Sequence, residues 1–177
     1  MNCELAIVAT MLFAAIVTSS TAYAQAPLHT RTEFSFTVAA PFDQVAPLLG
    51  ADEERKWAPG WNPQFSYPTP VHDQQGMVFT VPKGQFTSVW VNTAFDLEAG
   101  HIQYAYLVSE TMATLIDIHL TRESAQKTGV TVVYERTALM PEANEHVQHF
   151  ADEDAGAGKE WGDAINAYFA NAGKGAK

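Results

Sequence analysis

The chain has 177 residues, 47% hydrophobic and 17% charged, with twenty Asp and Glu against ten Lys and Arg for a formal net charge of −10. That balance argues against nucleic acid or an anionic membrane surface as a partner, since either would be repelled without a basic patch and the sequence offers none. A single cysteine, Cys3, excludes a disulfide framework and a cysteine metal cluster, so stability has to come from a core.

Leu5 to Val17 is an apolar run of thirteen residues interrupted only by Thr10, followed by Thr18-Ser19-Ser20-Thr21 and Ala22-Tyr23-Ala24. The last triplet has the small-x-small pattern of a secretory cleavage site. A membrane span needs roughly 18 or more apolar residues, so this run is short for an anchor. The expectation is a signal peptide over 1–24, cleaved between Ala24 and Gln25, with export to the periplasm or medium. An uncleaved anchor is the competing reading, because Met1-Asn2-Cys3-Glu4 carries an acid where a positive charge is usual. Cleavage would remove Cys3 and Glu4, leaving 153 residues of net charge −9 as one domain over 25–177, with its core at about 32–169.

Arg31 to Val38 alternates, with Phe34, Phe36 and Val38 on one face, and predicts a half-buried strand. Pro41 suits a first helical turn. Phe42, Val45, Leu48 and Leu49 follow at helical spacing until Gly50, and Asp52 to Trp57 adds a second short helix. Pro59-Gly60 then forces a turn between Trp57 and Trp61. From Val71 onward the pattern is β: 76–81, 86–97, 101–108, 111–122 and 129–139, joined by short turns that imply antiparallel neighbours in sequence order. Strict alternation gathers one apolar face from Val89, Val91, Thr93 and Phe95; Ile102, Tyr104, Tyr106 and Val108; Met112, Thr114, Ile116 and Ile118; Val130, Val132 and Tyr134. Asn92, Asp96, His101, Gln103, Asp117, His119, Thr131 and Glu135 fall on the other. A sheet with one apolar face needs a cover. Glu142 to Ala170 supplies it as a long helix, with Val147, Phe150, Asp154, Ala157, Trp161, Ile165 and Tyr168 at steps of three and four. Asp154, Gly156 and Gly158 interrupt the middle of that stripe, which predicts a kink, a close approach to the sheet, or a lining role in a cavity.

Several residues together resemble the START/polyketide-cyclase (SRPBCC) superfamily: Glu54 with Trp57-Ala58-Pro59-Gly60-Trp61, the strand Gly76 to Phe79, Trp90, Ile102-x-Tyr104, and Tyr134-x-x-Thr137-Ala138-Leu139 leading to a helix with Trp161. The resemblance spans about Thr32 to Phe169. It implies an α+β helix-grip fold, in which a curved antiparallel sheet of about seven strands wraps a long C-terminal helix, with two short helices after the first strand. Members of the superfamily include lipid carriers, hormone receptors, aromatase/cyclases and oxygenase domains, so the resemblance implies a fold rather than one chemistry.

No catalytic thiol, Gly-x-Ser-x-Gly elbow or phosphate-cradling loop is present, and no catalytic residue, metal or cofactor is assigned. His146-x-x-His149, with Asp152 or Glu153 beyond, has metal-like spacing but reads as a solvated helix face. Asp117 and His119 alternate outward, toward solvent. The candidate ligand-binding residues are Phe79, Tyr104, Tyr106, Tyr134, Arg136, Asp154 and Trp161. Phenols and a guanidinium at one end of an apolar space suit a ligand with an apolar body and an oxygenated or anionic head. Trp57 and Trp61 are candidates for the pocket mouth, or anchors that pin the corner to the sheet. The expected function is an exported protein that binds a small hydrophobic or amphipathic molecule between sheet and helix. The alternatives are a cyclase/dehydratase-type enzyme acting on a small aromatic or polyketide-like substrate, with a tyrosine, Arg136 or a pocket histidine as general acid and Asp154 as the one carboxylate that falls inward, and a non-catalytic envelope interaction module.

Overall fold

The computed structural model describes residues 25–84 and 86–172. The expected signal segment, with Ala24 at its end, lies outside the described residues, and Gln25 opens them. Seven strands form one antiparallel sheet: β1 (His29–Val38), β2 (Gln64–Tyr67), β3 (Val78–Lys83), β4 (Phe86–Asp96), β5 (His101–Val108), β6 (Met112–Ser124) and β7 (Lys127–Ala138). Their order is β1-β7-β6-β5-β4-β3-β2, so β3 to β7 follow one another through short turns, β2 reaches β3 through the loop 68–77, and β1 closes on β7. Helix α1 (Phe42–Val45) and two 3₁₀ turns, Ala46–Leu49 and Glu53–Lys56, carry the chain from β1 to the opposite edge. A further 3₁₀ turn, Pro141–Ala143, leads into the long helix α2 (Asn144–Ala172), which packs chiefly on β1.

Strand β2 is the element that periodicity misses. Its four residues stand between Pro63 and Pro68, they pair only with β3, and only Phe65 is withdrawn from solvent. Prolines at both ends hide an edge strand from a pattern search.

Strand β4 corrects the expected face assignment. Asn92 pairs with Tyr104 but Ala94 with Gln103, so Thr93 is an extra residue bulged out of the ladder. A bulge reverses the parity of everything beyond it. Phe95 therefore points inward opposite Ile102, as expected, whereas upstream it is Trp90 and Asn92 that face the concave side with Tyr106 and Tyr104. Val89, assigned inward from the sequence, is 46% exposed, and Thr93 turns its hydroxyl to Gln103 on the convex side.

Two asparagines fix α2 along β1. Asn144 accepts from the Leu28 amide at 2.7 Å and donates to the Ala26 carbonyl at 3.0 Å; Asn166 accepts from the Ala39 amide at 2.8 Å and donates to the Thr37 carbonyl at 3.0 Å. Between them the helix comes close to the strand. A Cβ on Gly158 would lie 3.2 Å from the Phe34 ring, and one on Gly162 only 3.1 Å from Phe36 Cβ. Gly156 has nothing within 4 Å of such a Cβ. The close approach expected for the glycine-rich middle thus belongs to Gly158 and Gly162. Gly156→Ala should raise stability by about 1 kcal/mol by removing a helix-interior glycine. Gly162→Val should lower it by about 1–3 kcal/mol through overpacking. Urea midpoints measured on both variants check the pair, and equal shifts in one direction would refute the packing argument.

Candidate functional site

The corner between β1 and β2 builds one wall of a cavity. The Glu54 amide donates to the Gly50 carbonyl at 2.8 Å, and the Glu54 carbonyl accepts from the Trp57 and Ala58 amides at 3.1 and 2.9 Å. Asp73, from the loop before β3, holds the N-terminal end of this turn, accepting from the Asp52 and Glu53 amides at 3.0 and 3.3 Å. Only glycine fits at position 50, since a Cβ there would stand 2.4 Å from Asp73 Oδ2. The two tryptophans are tied to backbone carbonyls, Trp57 Nε1 to Leu48 at 2.6 Å and Trp61 Nε1 to Ala51 at 2.7 Å. Their rings then part ways: Trp57 packs edge-on against Trp161 in the core, and Trp61 turns edge-on to Phe79 and Trp90.

Between the concave face and α2 lie two adjacent spaces. The inner one, of about 90 Å³, is walled by Phe79, Trp90, Tyr104, Ile116, Tyr134 and Trp161, with Glu54 and Trp61 at its side. An outer groove of about 740 Å³ runs from Trp61 and Trp90 past Tyr106 and Phe86 to His146 and Phe150 at the start of α2. Its volume lies within the range of small-molecule sites. Trp61 and Trp90 border both, and Trp90 stacks on Tyr106 at 4.2 Å and near-parallel to Phe79 at 5.6 Å.

The inner space is lined mainly by apolar and aromatic side chains, with Glu54 as its one carboxyl. Among the described residues its carboxyl has no hydrogen-bond partner, and the half-buried side chain lines the inner space. Burial, reinforced by the negative charge of Asp73, pushes its pKa up to about 8, so the group is largely a neutral acid at pH 7. Asp73 is shifted upward as well, first by burial. Tyr104 donates its hydroxyl to the Leu49 carbonyl at 3.0 Å, and burial lifts its pKa well above the ordinary value. Burial does the same to Tyr134.

Of the candidate ligand residues, Phe79, Tyr104, Tyr134 and Trp161 border the inner space and Tyr106 the outer groove. Arg136 and Asp154 border neither. They are 3% and 7% exposed and bind each other as a two-pronged ion pair, with Arg136 Nη2 donating to Asp154 Oδ1 at 3.0 Å and Nη1 to Oδ2. Thr32 donates to the same carboxylate, and the guanidinium lies over the Tyr134 ring at 4.1 Å. This pair closes one end of the core, so the guanidinium expected to meet a ligand is already engaged. Of the two mouth candidates, Trp61 stands between the two spaces and Trp57 is core.

No family model matches the sequence, and comparison with curated proteins finds no match. Solved structures match in shape. Norcoclaurine synthase from Thalictrum flavum superposes with a TM-score of 0.59 at 16% identity, over 80% of this chain and 94% of its own. An aromatase/cyclase from Streptomyces sp. R1128 gives 0.54 at 17% identity, over 85% and 97%. An uncharacterised protein from Rhizobium leguminosarum gives 0.57 at 12%, over 82% and 97%. The fold is the helix-grip. At such identities the likeness is one of shape, and the chemistry of this helix-grip has to be argued from its own cavity.

Sequence reasoning passed over three residues of that cavity. In the sequence Glu54 stands out only as part of the family pattern, although its place three residues before Trp57 on a helical turn puts the carboxyl on the side that faces the core. Trp90 was masked by the Thr93 bulge. His146 is exposed, as expected, but also stands edge-on to Phe150 at 4.8 Å on the groove wall, while His149 turns to Glu153 at 3.3 Å. No helix among the described residues is long and apolar enough to cross a membrane.

Proposed function

We propose that this chain binds a small amphipathic molecule with an aromatic or otherwise flat apolar body, held in the outer groove with its polar end reaching inward to Glu54. The observation that carries this reading is an aromatic-walled groove of about 740 Å³ beside a largely apolar pocket whose one ionisable carboxyl, Glu54, has no hydrogen-bond partner among the described residues. Stacked aromatics supply area and shape, and one polar group in an apolar pocket supplies orientation. The comparison supports the class of ligand: norcoclaurine synthase, of like fold, has been solved in complex with dopamine and hydroxybenzaldehyde. Displacement of 1-anilinonaphthalene-8-sulfonate tests the site. Trp90→Leu should weaken dye binding at least tenfold, about 1.4 kcal/mol, and Val89→Ala, one residue away on the opposite face, should leave it unchanged. Equal effects from the two, or no dye binding at all, would sink the proposal.

A second reading is favoured by Glu54 itself. A carboxylic acid with a pKa of about 8 in an apolar pocket is poised to give or take a proton near neutral pH. On this reading the chain is an enzyme of the cyclase or dehydratase kind, with Glu54 as its general acid/base. Glu54→Gln would then abolish turnover while dye affinity stays within a factor of a few; turnover surviving in the variant would exclude Glu54 from that role. We also propose that the protein is exported, supported by the apolar run and the Ala22-Tyr23-Ala24 pattern. Mass spectrometry of the secreted or periplasmic protein should find an N-terminus at Gln25.

A further inference from the structure

The convex face carries a second constellation, on the reverse of the cavity wall. His101 on β5 and His119 on β6 are direct cross-strand partners, and Asp117 lies two residues before His119 on the same face. Cross-strand pairing holds side chains of this kind within contact distance on a rigid support. The two imidazoles stack at 4.7 Å with planes 5° apart, and both Nε2 atoms are directed to one carboxylate, His101 to Asp117 Oδ1 at 2.7 Å and His119 to Asp117 Oδ2 at 3.2 Å.

We propose that His101, Asp117 and His119 form a binding site for a divalent transition-metal ion of borderline softness, Zn²⁺ or Cu²⁺, on the outer face of the sheet. Two imidazole nitrogens and a carboxylate oxygen are a donor set suited to these ions. Their ligand atoms all lie within 4.8 Å of one another. With metal–ligand bonds of about 2.0–2.2 Å, donors in a tetrahedral site stand about 3.3 Å apart; because the two ring planes are stacked 5° apart, an imidazole has to turn about its Cβ–Cγ bond so that both in-plane lone pairs meet one ion, and the exposed His119 is the ring free to do so. The ion would take the position where the imidazole protons now meet the carboxylate, and solvent would complete the coordination, since His119 is exposed.

The surroundings favour a cation. Gln103 donates to Asp117 Oδ1 at 3.4 Å, and the Thr93 hydroxyl at the bulge donates to the Gln103 side-chain oxygen at 2.9 Å, which fixes the amide with its NH₂ toward the carboxylate. Outer partners of this sort orient a ligand carboxylate. Asp96, opposite His101 in the ladder, adds negative charge on the same side of the sheet, and the chain as a whole is acidic. The bulge at Thr93 thus has two consequences: it turns Trp90 into the cavity and brings the Thr93 hydroxyl to the back of this cluster.

Titration of the tag-free, metal-free protein with Zn²⁺ by calorimetry in a non-coordinating buffer, together with Cu²⁺ electron paramagnetic resonance, tests the proposal. One Zn²⁺ per chain is expected, weakened at least tenfold in His101→Gln and in His119→Ala, with coupling to two imidazole nitrogens in the Cu²⁺ spectrum. His149→Ala serves as a control that leaves the affinity unchanged, and circular dichroism establishes that each variant is folded. His119 is an exposed side chain whose removal leaves the core intact, so the test does not depend on the His101 variant folding. No zinc uptake, uptake equal in His119→Ala and the parent protein, or loss of uptake only in His149→Ala would each overturn the proposal.

Discussion

Replacing Arg136 by Met should cost about 3–5 kcal/mol of folding stability, because it leaves the Asp154 carboxylate buried between β1 and α2 with only the Thr32 hydroxyl to satisfy it. The double replacement Arg136→Met with Asp154→Leu should recover most or all of that loss. A buried ion pair is held against the cost of removing two charges from water, and this one is imperfectly compensated: Arg136 Nε and the hydroxyls of its ladder neighbours Thr30 and Thr114 have no partner among the described residues. Urea denaturation of the parent, both single variants and the double variant forms a thermodynamic cycle that isolates the coupling. If the single Arg136→Met protein loses less than 1 kcal/mol, Asp154 must be reaching water or a proton, and the pair is not the closed device described above. If the double variant is as unstable as the single, the pair is worth more than the apolar contacts that could replace it.

This pair also shows which parts of the molecule sequence pattern could reach. On β5, and on β6 and β7 short of the register shift between Arg122 and Ser124, the alternation holds through the middle of the strands, and Ile102, Tyr104, Ile116, Ile118, Val130 and Val132 face the core as expected. Parity placed Arg136 correctly beside Tyr134 on the inner face, and helical spacing placed Asp154 inward on α2. What parity cannot give is the distance between a strand and a helix eighteen residues apart in sequence, and that distance decides whether the two charges meet each other or a ligand. In β4 the failure is of another kind, since one residue added to the strand leaves no mark on composition. The corner segment was legible as a fold signal but not as chemistry. Glu54 sits in a run of four charged residues, Glu53-Glu54-Arg55-Lys56, and composition does not tell which member a 3₁₀ turn directs inward; only the spacing of three to the buried Trp57 does. Asp52–Arg55 and Glu53–Lys56 form surface pairs on the outer side of the turn, leaving Glu54 as the one that meets the cavity.

Glu54 should impose a pH dependence on stability that its amide variant lacks. In the unfolded chain the carboxyl releases its proton near pH 4.5, whereas in the folded protein it holds it to about 8. The folded state therefore binds more protons than the unfolded state throughout that window. The stability contribution of the protonated group is fully present below 4.5, is lost progressively as pH rises to about 8, and is constant above. Each unit of displacement is worth about 1.4 kcal/mol, and water reaching the cavity reduces the total, so Glu54→Gln should gain about 2 kcal/mol on the parent between pH 5 and pH 9. Asp73 shifts in the same direction, which is why the difference between the two proteins, rather than the parent's own profile, is the quantity to measure by urea denaturation across pH. A flat difference would mean that Glu54 titrates as an ordinary surface acid and would remove it from any proton-transfer role. The same group can report the character of the ligand. A neutral or anionic molecule that expels water from the inner space strengthens the burial effect, so its binding near pH 8 should take up protons. A cationic one stabilises the carboxylate and should release them. Calorimetry of binding in two buffers of different ionisation enthalpy reads the sign directly, and that sign separates an amine ligand from a phenol or acid before either has been identified.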